Sequence, residues 1–384
     1  MNFELSDDLI MFQRAIRDFC EKEIKPHAHT ADETGTLPWD AIHKMPLLGL
    51  TGLQVPEKYG GVEDIDSFGV SIVVEELGRV CGSTALSLSA HNGLGCAPIV
   101  KWGTPAQQEQ WLPILTSGKH LGALALTEPQ AGSDLLNGAK TTAVRDGDEW
   151  VINGTKAWIT NVSFAPVITV LLRTNPDGGS KGFSMILVET DRAGVTVHPP
   201  EKKMGLKASP THMISFDNVR VPYSNLLGEE GKGFYMTMQT LDSGRIGIGA
   251  LSVGLAQGAF EAMVKYAQDR HAFNEPIANK QMIQVKIADA AMEIEAARTL
   301  VYKAGWLKDQ GKDYSKLAAI AKLKASEVAE KVCFEAIQIH GSYGYSREYP
   351  VERMYRDQRL MQIGEGTSEI QRMVIARKVL QEFE

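Results

Sequence analysis

Val167-Ile168-Thr169-Val170-Leu171-Leu172 and Phe183-Ser184-Met185-Ile186-Leu187-Val188 flank the turn Asp177-Gly178-Gly179, and their reading decides the fold class. Both are short apolar runs bounded by turn formers, the pattern of buried strands. Trp150-Val151-Ile152, Val195-Thr196-Val197, Met213-Ile214-Ser215-Phe216 and Val219-Arg220-Val221-Pro222 continue it, with Asp146-Gly147 as a further turn. A β segment therefore extends from about Leu121 to residue 226. On its N-terminal side Leu9, Phe12, Ile16 and Phe19 recur every three or four residues behind Ser6, a natural N-cap, which predicts a helix. A loop occupies Pro56 to Gly61, and Ile72 to Leu77 with Val80 predicts a second helix. Thr104-Pro105 opens another, with proline at its first position and Trp111 and Leu112 on its core side. On the C-terminal side helical spacing resumes at Gly231, and Ala288 to Ala336 is rich in Ala, Glu and Lys. Grouped rather than alternating elements argue against a doubly wound sheet and give an α+β chain. Its expected domains are a helical 1–120, a β 121–226 and a helical 227–384.

A chain of 384 residues exceeds the size at which single cores stop growing, so two or three structural units are expected. Hydrophobic residues at 43% and charged residues at 23% fit a water-exposed globular fold, and no apolar run approaches the ~20 residues that span a bilayer. Met1 to Asp8 has no basic segment followed by an apolar stretch and is too acidic for a transit peptide. The expected location is the cytoplasm of a bacterial-type cell, or the mitochondrial matrix for a processed mature chain. A formal net charge of −7 gives no electrostatic footprint for nucleic acid. Cys20, Cys81, Cys96 and Cys333 are widely spaced, without a Cys-x-x-Cys or histidine in ligand spacing, so no metal site is expected and the thiols are read as reduced and inert. Neither Gly-x-Gly-x-x-Gly after a strand nor a phosphate-binding Gly-x-x-x-x-Gly-Lys-Ser/Thr occurs, so a nucleotide cofactor needs another cradle.

Four stretches carry candidate chemistry. Ala125-Leu126-Thr127-Glu128-Pro129-Gln130-Ala131-Gly132-Ser133-Asp134 offers hydroxyls and exposed amides to an anionic or carbonyl-rich ligand, or else caps its own turn. Lys156-Ala157-Trp158-Ile159-Thr160-Asn161 ends a strand with an indole and a hydroxyl that alternation puts on one face, which suits a planar heteroaromatic ligand or simply a core tryptophan. Gln338-Ile339-His340-Gly341-Ser342-Tyr343-Gly344-Tyr345 interrupts a helix and precedes Glu348, Arg353, Arg356 and Asp357; it reads equally as a helix-to-helix turn. Ile363-Gly364-Glu365-Gly366-Thr367-Ser368-Glu369 sets a carboxylate between two glycines, which let backbone approach a ligand closely, or is a plain helix-entry loop. Arg270, with Phe273, follows the helix bearing Gly254 and Gly258 and offers a guanidinium for phosphate or a surface ion pair.

Taken together, these motifs resemble the acyl-CoA dehydrogenases, flavoproteins that introduce a double bond between Cα and Cβ of an acyl-CoA thioester. The strongest marks are Thr127-Glu128 with Gly132-Ser133-Asp134, the Gln338 to Glu348 pattern running on to Arg353 and Asp357, Trp158-Ile159-Thr160, and Glu365-Gly366-Thr367. The resemblance covers essentially the whole chain. It implies an all-α N-terminal domain, a β-barrel-like middle domain and a C-terminal four-helix bundle, assembled as a homotetramer built from dimers. FAD is implied between the middle and C-terminal domains, with Thr127 and Ser133 on the flavin, Trp158 beside its ring, and Ile159 and Thr160 next to it, Thr160 near N5. Arg270, Phe273, Gln281, Gln338, Gly341 and Ser342 of a neighbouring subunit would hold the pyrophosphate and adenosine, completed by Thr367 and Glu369. Ser133, Ser180, Asp242, Arg245 and Gly366 are the implied substrate contacts.

The implied reaction uses Glu365 as the base for the α-proton and flavin N5 as acceptor of the β-hydride, with an electron-transferring flavoprotein as the next electron carrier. An α-proton of a thioester is too weakly acidic for a carboxylate in water, so the site must stabilise the enolate, in the family through the backbone N–H of the base and a flavin ribityl hydroxyl. Excluding water raises the carboxylate's pKa and eases the transfer. Some relatives carry the base on an earlier helix; the matching stretch here is Leu241-Asp242-Ser243-Gly244-Arg245, with glycine in that place. Gly364 stands where many members have tyrosine, and the run after Asp134 is about one residue longer than usual. The expected substrate is a short straight or small branched acyl-CoA. An acyl-CoA oxidase and a non-catalytic binding module of the same fold are the alternatives.

Overall fold

The computed structural model describes residues 6–384, so the opening Met1–Leu5 on which the leader reading partly rests lies outside the described residues. Helix α1 (Asp7–Phe19) starts where Ser6 accepts a hydrogen bond from the Leu9 amide, and it buries Ile16. Helix α2 (Ser67–Val80) is capped by Asp66, which accepts from the Gly69 amide at 2.7 Å, and α3 (Gly82–Ala90) follows at once. Helix α4 (Pro105–Thr116) opens with a reciprocal capping box between Thr104 and Gln107 and buries Trp111 and Leu112, as the spacing predicts.

The middle segment is a mixed sheet of β1 (Ala123–Ala125), β2 (Thr142–Asp146), β3 (Glu149–Thr160), β4 (Val167–Arg173), β5 (Phe183–Glu189), β6 (Val195–Pro200), β7 (Thr211–Pro222) and β8 (Leu226–Leu227). The order is β6-β7-β3-β2-β4-β5-β8, with β1 parallel to β4. Strands β4 and β5 are apolar on both faces because both are covered. Ile168, Val170, Leu172, Ile186 and Val188 pack with Trp150, Ile152, Ile214 and Phe216 inside the curled sheet. Val167, Leu171, Phe183, Met185 and Leu187 face outward onto Trp111, Leu112 and Leu115. A sheet whose distant strands share one interior core is the barrel-like middle domain expected.

The C-terminal part stacks α5 (Gly233–Asp269), α6 (Gln281–Asp309), α7 (Ser315–His340), the short α8 (Val351–Gln358) and α9 (Ser368–Gln381). By length and composition alone α5 is apolar enough to cross a membrane, which no unbroken apolar run in the sequence suggested. Of its most apolar stretch 72% is buried in the protein, which makes it a core helix. It meets α2 at close range because Gly254 and Gly258 lack side chains. A Cβ would lie 2.3 Å from the Glu75 carbonyl oxygen at Gly254 and 2.1 Å from that of Arg79 at Gly258. That crossing fixes the N-terminal helices on the bundle and aligns one face of α2 with α5.

Candidate functional site

Between α2, α3 and α5 lies a cavity of about 240 Å³. Val70 and Val74 of α2, Leu88 of α3, Val100, and Ile246 of α5 supply apolar wall, while Gly244 and Gly247 let the cavity reach the α5 backbone. Glu365 lines the same cavity. Its backbone is left-handed at φ +52°, followed by Gly366 at +94°, a strain for a residue with a side chain that is characteristic of functional positions. The turn is held from behind: Gln371 Nε2 donates to the Gly366 carbonyl at 3.0 Å and to the Glu365 carbonyl at 3.3 Å, and Lys322 Nζ donates to the Gly366 carbonyl at 2.7 Å. The Glu365 amide finds no acceptor among the described residues.

The residue is half-buried, but carboxylate oxygen Oε2 is out of solvent and has no hydrogen-bond partner. It rests on Gly244, where an added Cβ would stand 2.0 Å from it. Burial pushes the carboxyl up to about 7, against the opposing positive charges of Lys322 and Arg245. A carboxylate without a partner, poised near neutrality beside an apolar cavity, is equipped to take a proton from carbon.

Around it, Asp242 and Arg245 pair with each other on α5, Arg245 being buried with its Nε unpartnered. Thr367 caps α9 by accepting from the Ile370 amide, and Glu369 is exposed in its first turn. Ser180 is exposed in the 179–182 turn.

A second group forms where the 127–134 loop meets β3. The Ala157 amide donates to the Thr127 carbonyl at 2.8 Å, setting Thr127 beside Trp158. Beneath them Lys156, fully buried, donates to the Leu126 carbonyl and pairs with Glu128 at 2.9 Å; Glu128 also accepts from the Lys140 and Thr141 amides. Trp158 is not a core residue: it is 60% exposed, with φ +61°, in a stretch where the β3–β7 register shifts between Lys156 and Ile159. Trp158 and half-buried Thr160 remain outside while Ile159 points into the sheet's interior, so Ile159 offers a ligand only backbone. Ser133 is exposed, and Asp134 caps the short 135–138 helix by accepting from the Asn137 amide.

The third group is remote from Glu365. Tyr266 of α5 stacks on His340 of α7 with ring centroids 4.2 Å apart, which brings Arg270 and the Gln338–Ser342 segment to one end of the bundle. Gln281 begins α6 there, since the Ile277 amide donates to the Arg270 carbonyl. Arg270, Phe273, Gln281, Gln338, Gly341 and Ser342 are all exposed, and Phe273 is left-handed at φ +54°. His91 is structural: it accepts from the Gly122 amide at Nδ1 and contacts the Thr51 carbonyl through Nε2, buried and pushed down to about 4. All four cysteines are free and buried, and no group of metal-ligating side chains occurs among the described residues.

Models of the acyl-CoA dehydrogenase N-terminal, middle and C-terminal domains match residues 6–119, 123–219 and 231–380. The chain belongs to the acyl-CoA dehydrogenase family. It is 50% identical to a probable acyl-CoA dehydrogenase, YngJ, of Bacillus subtilis over 99% of this chain and 100% of that one. It is 45% identical to the short-chain specific mitochondrial enzyme of Rattus norvegicus, over 99% and 92%. Butyryl-CoA dehydrogenase from Megasphaera elsdenii superposes with a TM-score of 0.95 at 42% identity, over 99% and 100%. An acyl-CoA dehydrogenase complexed with FAD from Bacillus anthracis gives 0.92 at 37%, over 99% and 69%. The protein is thus an oxidoreductase with FAD as its cofactor, and its residues fit that group: an exposed indole held in a strained bulge next to hydroxyl side chains leaves a ring face open to a planar partner.

Lys322 and the Lys156–Glu128 pair escaped the sequence reading. The signal for Lys322 was present, since it lies in step with Ala318, Ala325, Ala329 and Val332 on the buried face of α7.

Proposed function

We propose that the protein dehydrogenates a short-chain acyl-CoA, straight or with a small branch, to the trans-2-enoyl-CoA, with Glu365 removing the α-proton. The observation that carries this is the unpartnered Glu365 Oε2, facing Gly244 beside a cavity of about 240 Å³. The acyl chain enters between α2, α3 and α5, where burial of its methylene groups contributes about 0.8 kcal/mol each. The free Glu365 amide donates to the thioester oxygen as enolate charge develops. With its carboxyl near 7, Glu365 ionises at physiological pH yet binds a proton more strongly than an ordinary glutamate. FAD, when bound, supplies the hydride acceptor for the β-carbon. Thr127, Ser133, Trp158, Ile159 and Thr160 hold its ring. Arg270, Phe273, Gln281, Gln338, Gly341 and Ser342 of a second subunit hold its pyrophosphate and adenosine, with Thr367 and Glu369. Ser133, Ser180, Asp242, Arg245 and Gly366 receive the CoA thioester. Electrons pass to an electron-transferring flavoprotein, and the assembly is a homotetramer of two dimers. The short-chain and butyryl-CoA enzymes among its relatives support the chain length.

The test is anaerobic titration of the yellow holoenzyme with saturated acyl-CoAs of increasing length and branching, Glu365→Gln in parallel. Bleaching by four- and five-carbon substrates and none in the variant is expected. Equal bleaching by the variant removes Glu365 as the base, and a preference for long chains removes the substrate assignment.

A further inference from the structure

Lys322 sits in the middle of α7 with its side chain fully buried. Buried ammonium groups are costly and are ordinarily matched to a carboxylate, as Lys156 is to Glu128. Lys322 has no carboxylate within 4.0 Å among the described residues; its hydrogen bond goes to the Gly366 carbonyl, one residue beyond Glu365. That carbonyl belongs to the second of two successive left-handed residues, a turn the backbone does not favour unaided. Among the described residues, the only other donor to the turn's carbonyls is the neutral amide of Gln371.

We propose that Lys322 is a positioning residue for the proton transfer, holding the Glu365–Gly366 turn through the Gly366 carbonyl and supplying, with Arg245, the positive field in which the Glu365 carboxyl ionises. This rests on Glu365 being the base. The groups facing the carboxyl are few. Lys322 comes from α7 and Arg245 from α5, while Tyr314, Lys101 and Lys308 share the cavity wall. Glu369 of α9 acts on Lys322. Lys322 and Arg245 both pull the Glu365 pKa down, and Lys322 is itself lowered to about 8 by burial. The two cations thus limit the upward push of burial, leaving Glu365 ionised where the enzyme works. Arg245 is already paired to Asp242, so Lys322 is the less compensated of the two charges.

The decisive measurement is the pH profile of the first reduction step, followed by stopped-flow bleaching of the FAD holoenzyme with butyryl-CoA, for wild type, Lys322→Met, Lys322→Gln and Lys322→Arg. Loss of the charge raises the Glu365 pKa, so the acidic limb of Lys322→Met is expected to move up by about one pH unit. At pH 7 its rate then falls roughly five-fold, and much of the loss is regained at pH 9. Lys322→Arg keeps the wild-type limb. Lys322→Gln, which retains a donor of similar reach, gives the same reading if the methionine variant fails to fold. A limb that stays in place while melting temperature drops overturns the proposal and makes Lys322 purely structural. Failure of the base assignment is seen separately, as bleaching that survives Glu365→Gln.

Discussion

Glu365 is held in a state that costs the fold something, and the sign of that cost is measurable. Its folded pKa, about 7, lies above the ordinary 4.5, so the native state binds the proton more strongly than the unfolded chain. Below pH 4.5 both states are protonated and nothing is lost; between 4.5 and 7 stability declines as pH rises, and above 7 the penalty is complete. Glu365→Gln is therefore expected to melt higher than wild type at pH 8, by about 2 °C or more, and at the same temperature at pH 4.5. Scanning calorimetry of both holoenzymes at the two pH values checks it; an equal difference at both would mean the carboxyl is not perturbed. Gly244 belongs to the same arrangement. A methyl at that position would stand 2.0 Å from Oε2, so Gly244→Ala must push the carboxylate off its present seat. Because displacements of about 1 Å cost catalysis on the order of 10²-fold, kcat should fall by about that factor with KM little changed. Single-turnover reduction within two-fold of wild type would show that the carboxylate does not depend on Gly244. The sequence marks Gly244 only as the absence of an alternative base; that its bare Cα is the surface Glu365 rests on emerges from packing.

Among the elements, β3 shows what period and propensity do and do not reveal. Its apolar alternation was enough to place a strand, and Trp158 with Thr160 do stay outside. They do so in a stretch where the β3–β7 register shifts, with Trp158 left-handed, which strict alternation does not foresee. The strand is tied to the 127–134 loop by Lys156 and Glu128, 28 residues apart in sequence and therefore invisible to local patterns. The two partners gain unequally. Glu128 is lowered to about 2, whereas burial lowers Lys156 to about 8 despite its partner, so the intact pair contributes little net stability. Breaking it is different, because it strands one buried charge. Glu128→Gln is expected to destabilise by about 3–5 kcal/mol and, since the loop carries Thr127 and Ser133, to weaken FAD retention. Wild-type stability from Glu128 is fully present above pH 4.5 and fades as pH falls toward 2, the direction set by its lowered pKa. Urea unfolding of apoprotein and holoprotein would detect both effects, and a loss below 1 kcal/mol would place the pair among dispensable ones.

At the scale of the whole molecule, the group around Arg270 and Gln338 does not meet Glu365 within one chain. From Gly244, beneath Glu365, to Tyr266, which stacks on His340, α5 rises roughly 33 Å at ~1.5 Å per residue. Arg270, Phe273, Gln281 and the Gln338–Ser342 turn therefore lie too far along the bundle to touch their own chain's Glu365. The same end of the bundle exposes apolar side chains that a monomer would ordinarily bury: Phe273 is 88% exposed and Tyr345 90%, with Met282 and Val285 exposed on α6. Grouping of helices and strands was enough to read the fold from sequence, since periodicity is local; the separation between Glu365 and the Arg270 group follows only from the length of α5. A second copy that covers this end would account for both the exposed apolar surface and the stranded ligands. Sedimentation velocity on the holoenzyme is expected to give a tetramer at micromolar concentration. Phe273→Asp, which puts a charge into the surface that copy would bury, should shift the distribution toward smaller species and release FAD on dilution at least ten-fold more readily than wild type. Glu365→Gln, whose change lies against Gly244 about six turns along α5 from Tyr266, should do neither. If Phe273→Asp dissociates the assembly and FAD stays bound, the ligands at the end of the bundle do not reach across to a neighbouring subunit.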